Sequence, residues 1–354
     1  MRTVGWYYVA WVGTDNQIRI SSYHHRTSEF EQTINTGLKT CTTPKLIGCE
    51  GVDGSIDNWS LFYFDRKGHF RWGSSTRMGG GTDLGQIWNM NEENTQIGRV
   101  GGQTLNTPGE KLALFPRQIN SKLTLESSKY DQNMKTFSVL TALGLDDLIQ
   151  NVTVSLRQNT GASACLVDNQ ICIVVALTGS GNNLKTSNMG LIVYDLLSRK
   201  VSGGLLFPEA GNDNLYLTHK TPTICRTYDH SGVFITWAGI DGNNSLNLAY
   251  LGKGALMASN GLVTVPKKQT TVLWEESSGY SPVFAGTTGE NGLFWIGKDT
   301  NHQFNYAEVG FERKWLLWSS SSPDKQASSK HTFEFPSGRQ FGIDVIGNVK
   351  EQVM

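Results

Sequence analysis

Charge is scarce in this chain and is divided evenly between the two signs. The 354 residues include 31 Lys+Arg and 31 Asp+Glu, and only 18% of all residues are charged, against about 25% in ordinary soluble domains. Binding to a polyanion depends on clustered positive charge. Because the chain has no long run of lysine and arginine, we expect no nucleic-acid partner.

Long apolar runs are also missing. No stretch approaches the roughly 20 apolar residues of a transmembrane helix, so we expect no insertion into a membrane. The first residues lack the apolar core and the small-residue cleavage site of a secretory signal. We therefore expect a cytoplasmic or non-classically released protein, or a secreted chain that has been trimmed.

The usual motifs for metals and cofactors are absent. There is no P-loop, no G-x-S-x-G and no Rossmann fingerprint. The cysteines are spaced C-x7-C and C-x6-C with one left over, which matches no zinc pattern. We expect no metal, no cofactor and buried free thiols, and two cross-strand disulfides stay open as the alternative. The five cysteines are Cys41, Cys49, Cys165, Cys172 and Cys225.

What the sequence does contain is a repeat. Three segments share the motif W-x-G-x-D, beginning at Trp11, Trp237 and Trp295, and each continues into a polar turn and an alternating run. This pattern is typical of two antiparallel strands joined by a tight turn. Because the motif recurs at one structural position, we expect its tryptophans to pack between sheets and its aspartates to bind turn amides. The alternative is a set of sugar-stacking platforms.

A second marker, Thr-Pro or Ser-Pro, introduces short apolar runs. It occurs at Pro44, Pro108, Pro222 and Pro282, and Ala162–Ser163 stands where a fifth copy belongs. Successive markers are separated by similar lengths of chain, the interval before Pro108 being the longest and the one after it the shortest. A repeat of roughly 60 residues with about four short strands predicts a β-propeller.

The predicted architecture is all-β, a single β-propeller domain over residues 1–354. Six four-stranded blades fit the repeat best, and five or seven also fit. The N-terminal segment aligns with the second strand of a blade, so strands in 7–33 should be completed by a C-terminal strand within 331–346, for which 331–335 and 340–346 are the two alternatives. Such closure removes exposed sheet edges. The cleanest unit predicts strands over 223–227, 233–238, 245–251 and 269–274.

The Thr/Ser-Pro marker, the W-x-G-x-D turn and the run Leu246–Tyr250 resemble the repeats of bacterial sialidase-like propellers and the six-bladed fucose-lectin architecture. The resemblance implies the fold. It implies no activity, because the sialidase Asp box, S-x-D-x-G-x-T-W, has no intact copy.

Carboxylates are few on the predicted inner strands, which line the channel of a propeller. The segments 44–49, 108–114, 162–166, 222–226 and 282–286 contain one, Glu110. Glycosidases normally need two carboxylates flanking the scissile bond. We therefore expect a non-catalytic protein, with a glycoside hydrolase or sialidase-like enzyme as the alternative.

Aromatic side chains beside charged ones are the candidate ligand-binding residues, because sugars offer C–H surfaces to rings and hydroxyls to charges. Residues 313–318 are expected to form the outer strand of the last blade. The predicted function is a carbohydrate-binding lectin or adhesin, part of a toxin or host-interaction system, with glycans or glycoproteins as partners. A protein–protein scaffold is the second alternative. The candidates are Arg71, Trp72, Trp88, Arg226, Trp274, Glu275, Tyr280 and Trp315.

Overall fold

The structure is a computed structural model. It describes residues 4–13, 15–24, 29–40, 43–49, 58–64, 70–75, 83–88, 95–97, 103–107, 110–119, 122–131, 136–144, 153–157, 160, 162–180, 188–198, 200–208, 217–227, 231–256, 262–265, 270–287, 290–298, 304–309, 311–312, 315–316, 330–333 and 343–350.

The first half of the chain forms three antiparallel sheets. The first contains β1 (Val4–Val12), β2 (Gln17–His24) and β3 (Glu29–Lys39). The second contains β4 (Lys45–Cys49), β5 (Asn58–Phe64), β6 (Phe70–Ser75) and β7 (Asp83–Trp88). The third contains β8 (Thr95–Ile97), β9 (Gln103–Thr107), β10 (Glu110–Ile119), β11 (Lys122–Asp131) and β12 (Thr136–Gly144).

The fourth and fifth sheets continue the pattern. The fourth contains β13 (Thr153–Leu156), β14 (Ala162–Val167), β15 (Gln170–Ser180), β16 (Asn188–Asp195) and β17 (Val201–Pro208). The fifth starts with β18 (Thr223–Arg226), β19 (Gly232–Ala238) and β20 (Ser245–Gly252). Next come α1 (Lys253–Leu256), β21 (Leu262–Val265), which pairs in parallel with β17, and β22 (Thr270–Ser277), the outer strand of the fifth sheet.

The sixth sheet is the last in the chain. It contains β23 (Val283–Thr287), β24 (Glu290–Ile296), β25 (Phe304–Val309) and, after a separate ribbon of β26 (Phe311–Glu312) and β27 (Trp315–Leu316), β28 (Lys330–Phe333). The final strand, β29 (Ile343–Lys350), pairs antiparallel with β1.

The innermost strand of each sheet belongs to a ring. β4, β9, β14, β18 and β23 each contact the next strand in this order, and β29 contacts both β23 and β4. These six strands follow one another along the chain at a nearly constant spacing, beginning at Lys45, Gln103, Ala162, Thr223, Val283 and Ile343. The chain is therefore an all-β protein of the propeller type. Within the described ranges no helix is long and apolar enough to span a membrane.

The ends of the chain meet in the first sheet. The register of β1 and β29 runs from Val4 opposite Lys350 to Trp11 opposite Ile343. Of the two C-terminal segments that the sequence offered for this pairing, 340–346 overlaps β29. The other, 331–335, overlaps β28, which pairs with β25 instead.

One predicted inner strand is wrong. Thr107 pairs with Glu110, and the inner strand β9 ends before Pro108. Glu110 consequently begins the second strand of the third sheet. Proline followed by glycine is favoured in tight turns as well as before a new strand, which is why the dipeptide alone does not separate the two cases.

The cleanest predicted unit is confirmed. Its four strands correspond to β18, β19, β20 and β22, and β22 extends three residues beyond the predicted end, to Ser277. All seven residues of β19 are buried, because neighbouring sheets cover both of its faces.

Apolar side chains fill the spaces between adjacent sheets. Trp237 belongs to a buried cluster with Val193 and Leu206 of the fourth sheet. Trp11 is clustered with side chains of the sixth sheet, and Trp295 with side chains of the fifth. The three indoles are at most 1% exposed, so the expected packing role of the repeated tryptophans is confirmed.

Side-chain hydroxyls link the inner strands at one repeat's distance. Ser281 Oγ accepts a hydrogen bond from the Thr221 N–H at 3.0 Å, across 60 residues of sequence. Ser163 Oγ accepts one from the Ile224 N–H at 3.1 Å, across 61 residues. The starts of β14, β18 and β23 are thereby held in register.

Three of the five cysteines are described with their side chains, and all three are free thiols. They are Cys165, Cys172 and Cys225. Burial raises the pKa of Cys172 and of Cys225 to about 12. The expectation of free thiols is confirmed for these three, whereas Cys41 and the side chain of Cys49 lie outside the described part.

Candidate functional site

One end of the propeller carries the connections between sheets. The crossover 217–222 leads into β18 and the crossover 278–282 leads into β23, and the turn 239–244 between β19 and β20 lies at the same end. The Ser278 N–H donates to the Asn244 carbonyl at 3.2 Å, which ties a crossover directly to a turn. We call this the crossover end.

The W-x-G-x-D aspartates are used inside their turns. Asp241 accepts hydrogen bonds from the Ser245 N–H at 2.8 Å and from the Ser245 hydroxyl at 2.6 Å. Asp15 accepts one from the Gln17 N–H at 3.0 Å and forms an ion pair with Arg19 at 2.8 Å. These two bonds hold the pKa of Asp15 well below its ordinary range, Arg19 contributing most. The turn-closing role is confirmed for both residues, and Asp299 lies outside the described part.

Both crossovers are anchored by one buried hydroxyl each. Thr218 Oγ1 donates to the Ala238 carbonyl at 2.8 Å and accepts from the Lys220 N–H at 3.0 Å. Ser278 Oγ donates in the same way to the strand carbonyl after Trp295, at 2.8 Å, and accepts from the Tyr280 N–H at 3.2 Å.

Lys220 and Tyr280 therefore occupy equivalent positions in neighbouring crossovers. The pattern is visible in the sequence as a Ser or Thr three residues ahead of a Ser/Thr-Pro pair, at Thr40, Thr218 and Ser278. Thr104 has the same spacing before Pro108 but lies within β9. Lys220 is absent from the sequence-based candidates, although this signal could have found it.

The candidate pair Trp274–Glu275 lies in a bulge of β22. Leu246 pairs with Leu273 and the adjacent Ser245 pairs with Ser277, so residues 274–276 have no place in the regular register. Bulges redirect side chains and are frequent beside functional sites. The bulge comes directly before the Ser278–Tyr280 crossover, and the side chains of Trp274 and Glu275 lie outside the described part.

The first sheet has a bulge at the equivalent place in β3. Gln17 pairs with Lys39 and Arg19 pairs with Asn35, which leaves residues 36–38 outside the register. Gly37 there has φ of +71°, a left-handed conformation that favours glycine. The bulge is thus a feature that recurs at the crossover end of outer strands.

The candidates of the second sheet lie together at that end. Trp88 pairs with Phe70 and Gln86 pairs with Arg71, so one residue, Ile87, is skipped between them. Trp72 follows Arg71 in β6. Three candidate residues therefore share the crossover end of two adjacent strands, although their side chains lie beyond what is described.

Arg226 and Tyr280 are not brought together. The hydrogen bond between Ser281 and Thr221 sets Tyr280 level with Lys220. Arg226 is the last residue of β18, six residues beyond Lys220 and so about 20 Å away at about 3.3 Å per residue. Its position is the end opposite to the crossovers.

The outer strand predicted around Trp315 is wrong, whereas the role of Trp315 as a candidate ligand-binding residue stays a prediction. Residues 313–318 were expected to form the outer strand of the last blade, but β28 holds that position, and Trp315 starts a strand that pairs only with β26 among the described residues. A short hairpin inserted between β25 and β28 has the same alternating pattern as an outer strand, so periodicity does not distinguish them.

Charged groups on the inner strands are few. The carboxylate on the described inner strands is that of Asp344 in β29, and the cations are Lys45, Arg226 and Lys350. Across the described ranges no group of three His, Cys, Asp or Glu side chains has the arrangement of a metal site. Hydrolysis of a glycosidic bond normally uses two carboxylates, and the described inner strands carry one.

The sequence matches no protein-family model and no curated protein. The fold is similar to TolB from Acinetobacter baumannii, with a TM-score of 0.53 and 10% identity, over 96% of this chain and 66% of that one. It is similar to a triple arginine-to-alanine mutant of AofleA from Arthrobotrys oligospora, with a TM-score of 0.55 and 10% identity, over 98% and 89%. The chain spans just under two thirds of the length of TolB.

A third similar structure is a mutant α-L-arabinofuranosidase from Fusarium graminearum in complex with an iminosugar inhibitor. Its TM-score is 0.51 at 11% identity, over 84% of this chain and 81% of that one. At such low identity the likeness concerns the fold alone, and it supports a propeller-type repeat fold.

Proposed function

We propose that this protein is a carbohydrate-binding β-propeller that holds its ligand without cleaving it. The observation that carries the proposal is the bulge of β22, which sets Trp274 and Glu275 next to the crossover that bears Tyr280. Aromatic rings stack on the C–H faces of sugars, and carboxylates accept hydrogen bonds from hydroxyls. In this proposal Trp274 would supply the first kind of contact and Glu275 the second.

The proposal includes one propeller domain with six blades over residues 1–354. The ring of six inner strands and the pairing of β1 with β29 support this count. The fold is also that of an α-L-arabinofuranosidase crystallised with an iminosugar, which supports a carbohydrate ligand. The resemblance of the repeats to sialidase-like and fucose-lectin propellers points the same way.

Binding without turnover is proposed because the described inner strands offer the single carboxylate of Asp344. A monosaccharide has few atoms, and its hydroxyls must leave water, so each site should bind with a dissociation constant of about 10 μM to 1 mM. Related sites on several blades would add avidity on a glycan-coated surface. A lectin or adhesin in a host-interaction system fits these properties.

A glycan array followed by calorimetry on the best ligand tests the proposal. Trp274→Ala should weaken binding by about tenfold, the effect of losing ~1.4 kcal/mol of contact. Trp274→Phe, which keeps an aromatic ring, should lose less. Leu197→Ala is the matched control, because Leu197 is an apolar side chain 76% exposed at the opposite end.

Absence of any glycan signal on the array would overturn the proposal. So would equal affinities of the wild-type protein and Trp274→Ala. Products released from the best ligand would favour the glycoside hydrolase instead.

A further inference from the structure

Two cationic side chains and a histidine lie close together where two crossovers run side by side. Arg157 follows β13 in the approach to β14, and His219 and Lys220 belong to the crossover before β18. The hydrogen bond from the Ile224 N–H to Ser163 Oγ fixes the register of these two segments. Arg157 stands six residues before Ser163, and Thr218, the neighbour of His219, stands six residues before Ile224.

The backbone on both sides of this cluster is held firmly. The Arg157 N–H donates to the Ala176 carbonyl at 3.1 Å, and Thr160 Oγ1 donates to the Arg157 carbonyl at 2.7 Å. The Lys220 N–H donates to the buried Thr218 hydroxyl at 3.0 Å. These side chains therefore extend from anchored backbone positions, so the backbone requires little ordering when a ligand binds.

Two cations, Arg157 and Lys220, lie close enough to His219 to affect its pKa. Burial lowers the pKa of His219, and the nearby charges of Arg157 and Lys220 lower it further. Partial burial also lowers the pKa of Arg157. In the part of the chain that the structure describes, neither His219 nor Lys220 forms an ion pair with a carboxylate.

We propose that Arg157, His219 and Lys220 form an anion site that takes the carboxylate or sulfate group of an acidic glycan. The glycan part of this inference rests on the proposed function. Lys220 is the counterpart of Tyr280, and the Thr221 N–H reaches Ser281 Oγ at 3.0 Å, so the two crossovers touch. One ligand would place its acidic group at the crossover before β18 and its sugar ring at the crossover before β23.

Matched ligand pairs test the inference by calorimetry: galactose 6-sulfate against galactose, glucuronic acid against glucose, and inorganic sulfate alone. The acidic member of each pair should bind at least tenfold more tightly than the neutral one. Lys220→Gln and Arg157→Gln should each remove most of this preference. Lys200→Gln, which deletes an exposed lysine at the opposite end, should leave it unchanged, and all variants should keep the wild-type melting temperature.

Equal binding of acidic and neutral sugars would overturn the anion site and leave the proposed function standing. Sulfate alone binding as tightly as galactose 6-sulfate, with the same loss in Lys220→Gln, would overturn the glycan part of the inference. A preference for acidic sugars that survives both glutamine variants would contradict the assignment to these residues. Loss of neutral-sugar binding in Trp274→Ala tests the proposed function independently.

Discussion

Each tryptophan of the W-x-G-x-D motif fills the space between two sheets, and each described aspartate closes the turn that follows. Trp237 is fully buried among side chains of the fourth sheet, while Asp241 uses both carboxylate oxygens on Ser245. An aromatic residue near an acid can look like a sugar site in a sequence. Here recurrence at one position of the repeat distinguishes the structural use from the binding use.

Trp237→Ala should lower the free energy of unfolding by about 3–5 kcal/mol, because it removes a large buried aromatic side chain and leaves a cavity. Trp237→Phe, which retains most of the volume, should cost less. Urea denaturation followed by far-UV circular dichroism measures both values. A loss below about 1 kcal/mol accompanied by weaker sugar binding would indicate an exposed platform instead.

Binding of an acidic ligand should depend on pH through His219. A bound anion stabilises the imidazolium, so the pKa of His219 is higher in the complex than in the free protein, where burial, Arg157 and Lys220 hold it below its ordinary value. Affinity for galactose 6-sulfate should therefore increase, by about three- to tenfold, as the pH falls from 8 to 5.5. Calorimetry at several pH values measures the trend. A His219→Gln variant should show a flat profile, and the same slope in that variant would contradict the assignment.

At the level of strands, hydrophobic alternation and turn residues predict most of the fifth sheet. The runs 233–238 and 245–251 are found as β19 and β20 within a residue at each end. The bulge in β22 is not visible in this way, because an alternating pattern does not report where the partner strand skips residues. The proposed binding position thus depends on a register that only the fold reveals.

The two misplaced segments have a common physical origin. Pro108 follows β9, which pairs with the next strand β10, and Trp315 begins β27, which pairs with the preceding strand β26. Pairing between consecutive strands satisfies the same local preferences as a crossover or an outer strand. Local residue types determine that the chain turns. Contacts with distant residues determine which strand it pairs with afterwards.

The hydroxyl that links neighbouring inner strands should have a measurable effect on stability. Ser281→Ala leaves the buried Thr221 N–H without its acceptor, and we expect a loss of about 1–3 kcal/mol in the free energy of unfolding. Ser281→Thr keeps the oxygen and should stay close to the wild type. Guanidinium denaturation of the three proteins makes the comparison, and equal stabilities of the alanine variant and the wild type would contradict this role.

Across the whole molecule, the repeat is more regular than the sequence markers suggested. The marker at Pro108 lies unevenly between those at Pro44 and Ser163, whereas β9 begins at Gln103, almost midway between the starts of β4 and β14. An even period applied to the whole chain would have located β9. The spacing of the inner strands along the chain is regular, because each inner strand must contact its neighbours in the ring.

Closure of the ring should control global stability. Deleting residues 343–354 removes β29 and exposes the edge of β1 along the eight pairs that now join them. The melting temperature should fall sharply, and the open edge should promote aggregation. Deletion of 351–354 alone is the control and should have little effect. An unchanged melting temperature in the longer deletion would contradict the closure.

The central claim is that the protein holds a glycan and does not cleave it. The most direct test incubates the best array ligand with the protein at millimolar concentration and follows binding by calorimetry and the ligand's mass by mass spectrometry. We predict a bound glycan that is recovered intact, with affinity reduced in Trp274→Ala and unchanged in Glu110→Gln and Asp344→Asn. Time-dependent release of a shorter sugar that is abolished by Asp344→Asn or Glu110→Gln would contradict the claim and establish a hydrolase.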